Sequence, residues 1–142
     1  MDDDLDGMLF TTNDRTGLPI LQASASGELY LGKSPQSLYT TAVISATSAS
    51  ATASIYALST SSYDGAFFDY TITSASNAQA GTIQSIWNGG SINHTNVKTS
   101  AIGSTSGIEL EMIISASQAH FVAVTDSTDP NTWKVKTIIR SI

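Results

Sequence analysis

From Met8 onward, apolar and polar residues alternate in short runs separated by turn-forming residues. A period of two places alternate side chains on opposite faces of a strand. The clearest run is Ile108 to Ile114, where Ile108, Leu110, Met112 and Ile114 share one face and Glu109 and Glu111 the other. In Phe67 to Thr73, Phe68, Tyr70 and Ile72 alternate with Phe67, Asp69, Thr71 and Thr73. Near the C-terminus, Trp133, Val135 and Ile139 oppose Lys134, Lys136 and Arg140. The pattern predicts strands over 38–46, 53–58, 66–74, 79–88, 91–96, 108–115, 118–125 and 133–141. Tyr63-Asp64-Gly65, Asn88-Gly89-Gly90, Gly103 to Gly107 and Asp129-Pro130-Asn131 supply turns between them. Asn88-Gly89 reads as the centre of a type I′ hairpin, which needs positive φ at both central residues. Short strands at this spacing predict an all-β fold, an antiparallel β-sandwich of jelly-roll-like kind.

The first 36 residues read differently. Met8 to Thr12, Leu18 to Ala23 and Glu28 to Leu31 form three short extended runs, and Pro19 suits an edge or a strand start. In the third, Leu29 and Leu31 share one face and Glu28 and Tyr30 the other. Gly32-Lys33-Ser34-Pro35 breaks the pattern. The division expected is a short N-terminal β segment over 1–36, serving attachment or oligomerisation, and a β-sandwich head over 37–142. Three short strands make a marginal sheet alone, so the segment is expected to gain order from neighbouring copies or another protein. Three chains packing Leu9, Ile20, Leu29 and Leu31 inward would supply such a core. Ser45 to Ser54 is low in complexity, and reads as a loop between strands or as a flat pair of strands with small side chains.

Composition narrows the function. About 28% of the residues are Ser or Thr and 13% are charged, so hydroxyls must build the polar surface. Charge of this sparseness with 41% hydrophobic residues points to a folded chain, not a disordered one. The net charge of −6, with six basic residues scattered along the chain, disfavours nucleic-acid binding. There is no cysteine, which removes disulfides and thiol chemistry. No apolar run is long enough for a membrane-spanning helix, and Met1 to Gly7 does not read as a secretory signal.

Candidate chemistry is thin. Asp2-Asp3-Asp4-Leu5-Asp6-Gly7 has the spacing of the first half of a calcium loop, but the position for the closing bidentate Glu falls on Asn13. The competing reading is a solvated acidic terminus. His94 and His120 show no zinc-ligand spacing, and no Gly-x-Ser-x-Gly elbow accompanies them. Glu109 and Glu111 lie about 7 Å apart on one strand face by strand rise. That could serve glycoside hydrolysis, but the flanking apolar alternation favours a solvent-facing strand. Trp87, Trp133, Tyr63 and Tyr70 could stack on sugars, or the tryptophans could anchor the core. No catalytic, cofactor-binding or metal-binding residue is assigned on these grounds.

Asn13-Asp14-Arg15-Thr16-Gly17-Leu18-Pro19-Ile20-Leu21, followed by Gly27-Glu28-Leu29-Tyr30-Leu31-Gly32, resembles a segment of tail-fibre and appendage proteins of tailed bacteriophages, notably those of cyanobacteria. The stretches Ser62 to Tyr70, Asn77 to Ile83, Ser85 to Gly89, Ser104 to Gly107 and Trp133 to Arg140 also resemble these proteins, in order. The resemblance implies a non-enzymatic virion structural protein, a homotrimer with a β-rich head, in contact with other virion proteins and without catalytic residues. The familiar segments usually close a longer fibre, whereas Met1 stands almost directly before them here. The expectation is therefore a short tail fibre or tail appendage, with capsid decoration or a head fibre as the alternative. A carbohydrate-binding module for host polysaccharide is a further reading, compatible with a fibre tip.

Overall fold

The computed structural model describes residues 7–33, 36–49 and 51–142. Among these residues every regular element is a strand: β1 (Met8–Asn13), β2 (Pro19–Ser24), β3 (Leu29–Leu31), β4 (Ser37–Ala46), β5 (Thr52–Ser59), β6 (Gly65–Ser74), β7 (Asn77–Asn88), β8 (Ser91–Lys98), β9 (Ile108–Ser115), β10 (Gln118–Thr125) and β11 (Trp133–Ser141). An eight-stranded sheet runs β1-β2-β3-β4-β11-β6-β7-β8, and a three-stranded sheet runs β5-β10-β9. Every pairing is antiparallel. The expected all-β sandwich is the fold observed. Of the strands from β4 onward the first and last, β4 and β11, pair, as do β5 and β10, which is a nested return of jelly-roll kind. Inside that nest the chain runs as local hairpins, β6-β7-β8 and β9-β10.

β11 lies at the centre because its sequence suits a strand covered on one face. Trp133, Val135, Thr137, Ile139 and Ser141 are buried, and the residues between them are exposed. The register sets Val135 beside Ile44 and Ile72, and Ile139 beside Thr40 and Phe68. Phe121 of β10 meets this layer from the small sheet, its ring centroid 4.5 Å from that of Phe68. Phe68, Phe121, Ile83, Ile139 and Val135 are among the fully buried side chains. Each contributes about 1.5–3 kcal/mol relative to an exposed position.

One turn departs from the sequence reading, and a second, between β9 and β10, falls where it was expected but without glycine. The β7–β8 loop is Gly89-Gly90, since Asn88 pairs with Ser91 and closes the ladder. Gly89 carries the positive φ there. Ala116 and Ser117 join β9 to β10 with φ of 50° and 63°. The two-residue hairpin demands the left-handed region whatever side chains occupy it, at about 1–2 kcal/mol for each non-glycine residue. Ser45 to Ser54 resolves into the end of β4, a connection and the start of β5, with Ser50 outside the described residues.

The N-terminal strands continue the large sheet of their own chain. Leu29, Tyr30 and Leu31 pair with Tyr39, Leu38 and Ser37. The order expected from neighbouring copies therefore has a source within the chain. The register also decides which side of β3 turns inward. Tyr30 lies beside Leu38, a core residue, so Leu29 and Leu31 face away from the small sheet. Alternation along β2 puts Ile20 on the opposite face from Leu21, the partner of Leu31. Ile20 thus cannot join Leu29 and Leu31 in one inward-facing layer of three chains.

Candidate functional site

Neither tryptophan offers a stacking face. Trp133 is fully buried, and its indole N–H donates to Asp129 Oδ2 at 2.6 Å. Trp87 is buried and donates to the Tyr63 carbonyl. Tyr70 is buried as well, its hydroxyl 2.7 Å from Asn96 Oδ1. Both tryptophans anchor the core, and a sugar stacked on them would need the sandwich opened.

The loop before β11 is built around Asp129. Its Oδ1 accepts from the Asn131 backbone and side-chain amides at 2.9 and 2.6 Å, and its Oδ2 from Trp133. The Asn131 backbone bond first, then the Trp133 indole, hold the carboxyl below its usual range. A Cβ at Gly107 would lie 1.7 Å from Asp129 Oδ2, so only glycine fits there.

Glu109 and Glu111 stand on β9, with Glu109 exposed. His94 lies on β8 in the large sheet and His120 on β10 in the small one. The His120 ring nitrogen Nδ1 is 3.4 Å from the Ser54 hydroxyl. Among the described residues no three His, Cys, Asp or Glu side chains gather where a metal ion could be held. The acidic calcium-like pattern falls mainly on residues 1–6, outside the described residues.

Two other features expose apolar side chains. The first is the outward face of the large sheet. A hollow of about 760 Å³ crosses it, lined by Val43, Thr71, Thr82, Val97, Lys136 and Ile138 among others. Val43 and Val97 are 59% and 69% exposed. A smaller hollow of about 420 Å³, lined by Phe67, Gln84 and Ile86 among others, lies further along the same face. Phe67 carries the Arg140 guanidinium over its ring, and Arg140 also pairs with Asp69 at 3.2 Å. Apolar side chains grouped on an exposed sheet face mark an interaction surface.

The second is the N-terminal ribbon of β1, β2 and β3. Met8, Leu9, Phe10, Leu18, Ile20 and Leu31 are all exposed. Among the described residues β1 is also an edge of the large sheet, with one side of its backbone unpaired. The ribbon is held to the sandwich by Glu28. Its carboxylate accepts from Tyr30 at 2.8 Å, from Ser26 at 3.1 Å and, across to the small sheet, from Tyr56 at 2.9 Å. Burial pushes Glu28 upward, but the bonds from Tyr30, Tyr56 and Ser26 together hold it below its ordinary 4.5. Burial, then the bond to Glu28, pushes Tyr30 up to about 12. Tyr56 is raised by the same two causes in the same order.

These directions give a pH dependence. Glu28 titrates lower folded than unfolded, so its contribution is complete above the unfolded value and lost as pH falls through the folded one. Tyr30 titrates higher folded, so its contribution is complete below its ordinary 10 and lost as pH rises toward about 12. Glu28→Gln is expected to loosen the ribbon by about 1 kcal/mol, discounted for the solvent around the carboxylate. Hydrogen exchange over residues 8–31 reads this as faster exchange, while β6 and β11 stay protected. Uniform acceleration across the chain would contradict it.

Compared with protein-family models, curated proteins and solved structures, the chain matches none.

The shortness of the three N-terminal runs, with Leu9, Ile20, Leu29 and Leu31 among them, is what drew notice to the ribbon in the sequence. The outer groove was missed, because Val43, Ile86 and Val97 sit singly at positions where the strand pattern expects polar residues. The Glu28 to Tyr56 bond joins residues 28 apart in sequence and no local pattern signals it.

Proposed function

We propose that this chain is a non-enzymatic structural protein of a tailed-phage virion, a short tail fibre or tail appendage component. In this reading the ribbon attaches it and the sandwich is displayed. The carrying observation is the ribbon itself: five large apolar side chains exposed on the first three strands, with Leu18 just before the second, beside an unpaired sheet edge. Such a surface is costly in water and is expected to be covered in an assembly. The resemblance of these same residues to phage appendage segments supplies the class. The working form is a homotrimer in contact with other virion proteins, made in the bacterial cytoplasm and carried on the particle.

Sedimentation of the purified protein at micromolar concentration tests the assembly. The expected mass is three times the 14.9 kDa chain. Leu9→Asp with Phe10→Asp should give a monomer with an unchanged β spectrum. A wild-type monomer would contradict the trimer. Mass spectrometry of purified particles should find the chain in the virion. Recovery in tail fractions supports the fibre reading, and recovery in capsids alone would replace it with a decoration protein.

A further inference from the structure

We propose that Asn88 is a site of spontaneous covalent modification, where the Gly89 peptide nitrogen attacks the Asn88 side-chain amide and turns the residue into a mixture of aspartate and isoaspartate. The site lies in the sandwich and is independent of the assembly reading above.

Four features gather at the β7–β8 tip. Asn88 is the only asparagine of the chain followed by glycine. The others precede Asp14, Ala78, His94, Val97 and Thr132, whose side chains crowd the attacking nitrogen. Asn88, Gly89 and Gly90 are all exposed, and a Cβ placed on either glycine would meet nothing within 4 Å. The Gly89 N–H makes no hydrogen bond among the described residues. The pair Asn88–Ser91 ends its ladder, and β8 is the outermost strand of the large sheet. A terminal pair on an edge strand opens locally, without unfolding the core. That opening is needed, because an extended Asn88 turns its side chain away from the next peptide nitrogen. Asp64-Gly65 is the contrast within the same chain. Gly65 is buried, its N–H donates to the Ile142 carbonyl at 3.1 Å, and an added Cβ would lie 2.7 Å from the Ser85 carbonyl oxygen. Ring closure is hindered there and free at Gly89.

The step balances with water alone. The Gly89 nitrogen gives up its proton to hydroxide and bonds to Asn88 Cγ, and the side-chain nitrogen leaves as ammonia. The five-membered imide that forms takes up one water. Cleavage at Cγ gives aspartate with the original main chain. Cleavage at the main-chain carbonyl gives isoaspartate, whose main chain runs through Cβ and Cγ. Either product adds one negative charge to a chain that carries −6. Isoaspartate also lengthens the main chain beside Trp87, which is buried and whose backbone N–H donates to the Asp64 carbonyl at 3.0 Å. The amides of β8 should then exchange faster, while those of β11 stay protected.

The test holds the purified full-length protein at mildly alkaline pH and 37 °C and follows it by peptide mass mapping over several weeks. The mass gain of NH2 replaced by OH should appear at Asn88 at least about ten times faster than at any other asparagine. Aspartates that isomerise by the same route keep their mass, so Asp6-Gly7 and Asp64-Gly65 do not enter the count. An isoaspartate-specific methyltransferase should label the same peptide. Lowering the pH by one unit should slow the gain about tenfold, because hydroxide must remove the Gly89 proton. Asn88→Gln, with an unchanged β spectrum, should remove the fast gain. A native protein that gains nothing at Asn88 while its urea-unfolded form converts would overturn the proposal. So would a faster gain at another asparagine, or a rate indifferent to pH.

Discussion

Replacing Trp133 with alanine is expected to cost about 4 kcal/mol of folding stability, against a total of about 5–15 kcal/mol for a domain of this kind. Trp133 is among the largest side chains buried completely, and it begins the central strand of the large sheet. Truncation leaves a cavity that neighbouring strands, fixed by their ladders, cannot close. It also removes the indole donor from Asp129, which organises the loop before β11. Urea denaturation should show a much lower midpoint with an unchanged slope. Trp133→Phe keeps most of the volume without the N–H, and should fall between wild type and Trp133→Ala. A Trp133→Ala protein as stable as wild type would contradict the packing described.

Phe121→Ala is expected to be of similar size, about 3–5 kcal/mol, through a different mechanism. Phe121 is the ring by which the small sheet meets the large one, 4.5 Å from Phe68 and 6.4 Å from Tyr70. Paired rings of this geometry add about 0.5–1.5 kcal/mol beyond the area they bury. Phe68→Ala and the double variant complete a cycle in which the two losses are less than additive by roughly that amount. Strict additivity would mean that the rings do not couple. Because β5, β9 and β10 make up the whole small sheet, their amides should lose protection first in Phe121→Ala.

The strands were legible because most of them obey one simple rule. The alternation from Ile108 to Ile114 and from Trp133 to Arg140 turns apolar residues toward one core, and the observed strands follow it closely. The assignment of strands to sheets was not legible. The join of β6, with the β7 and β8 hairpins that follow it, to β11 rests on partners far apart in sequence, such as Ile139 and Phe68. β3 misled for the same reason: its local pattern favours burying Leu29 and Leu31, but Leu38 across the ladder pulls Tyr30 inward. Of the candidate site, the ribbon could be read and the groove could not. An apolar residue on an outward strand face is ordinary alone. Only the sheet brings Val43, Ile138 and Val97 together beside Lys98 and Lys136.

The most direct test of the proposed virion role is an electron cryomicroscopy reconstruction of tailed-phage particles assembled in cells that express the chain from its own genome. Three copies should stand together on the tail, with Met8, Leu9 and Phe10 covered by neighbouring protein and the sandwich projecting outward. A particle that lacks the chain, or one that carries it with β1 to β3 facing solvent, would contradict the account.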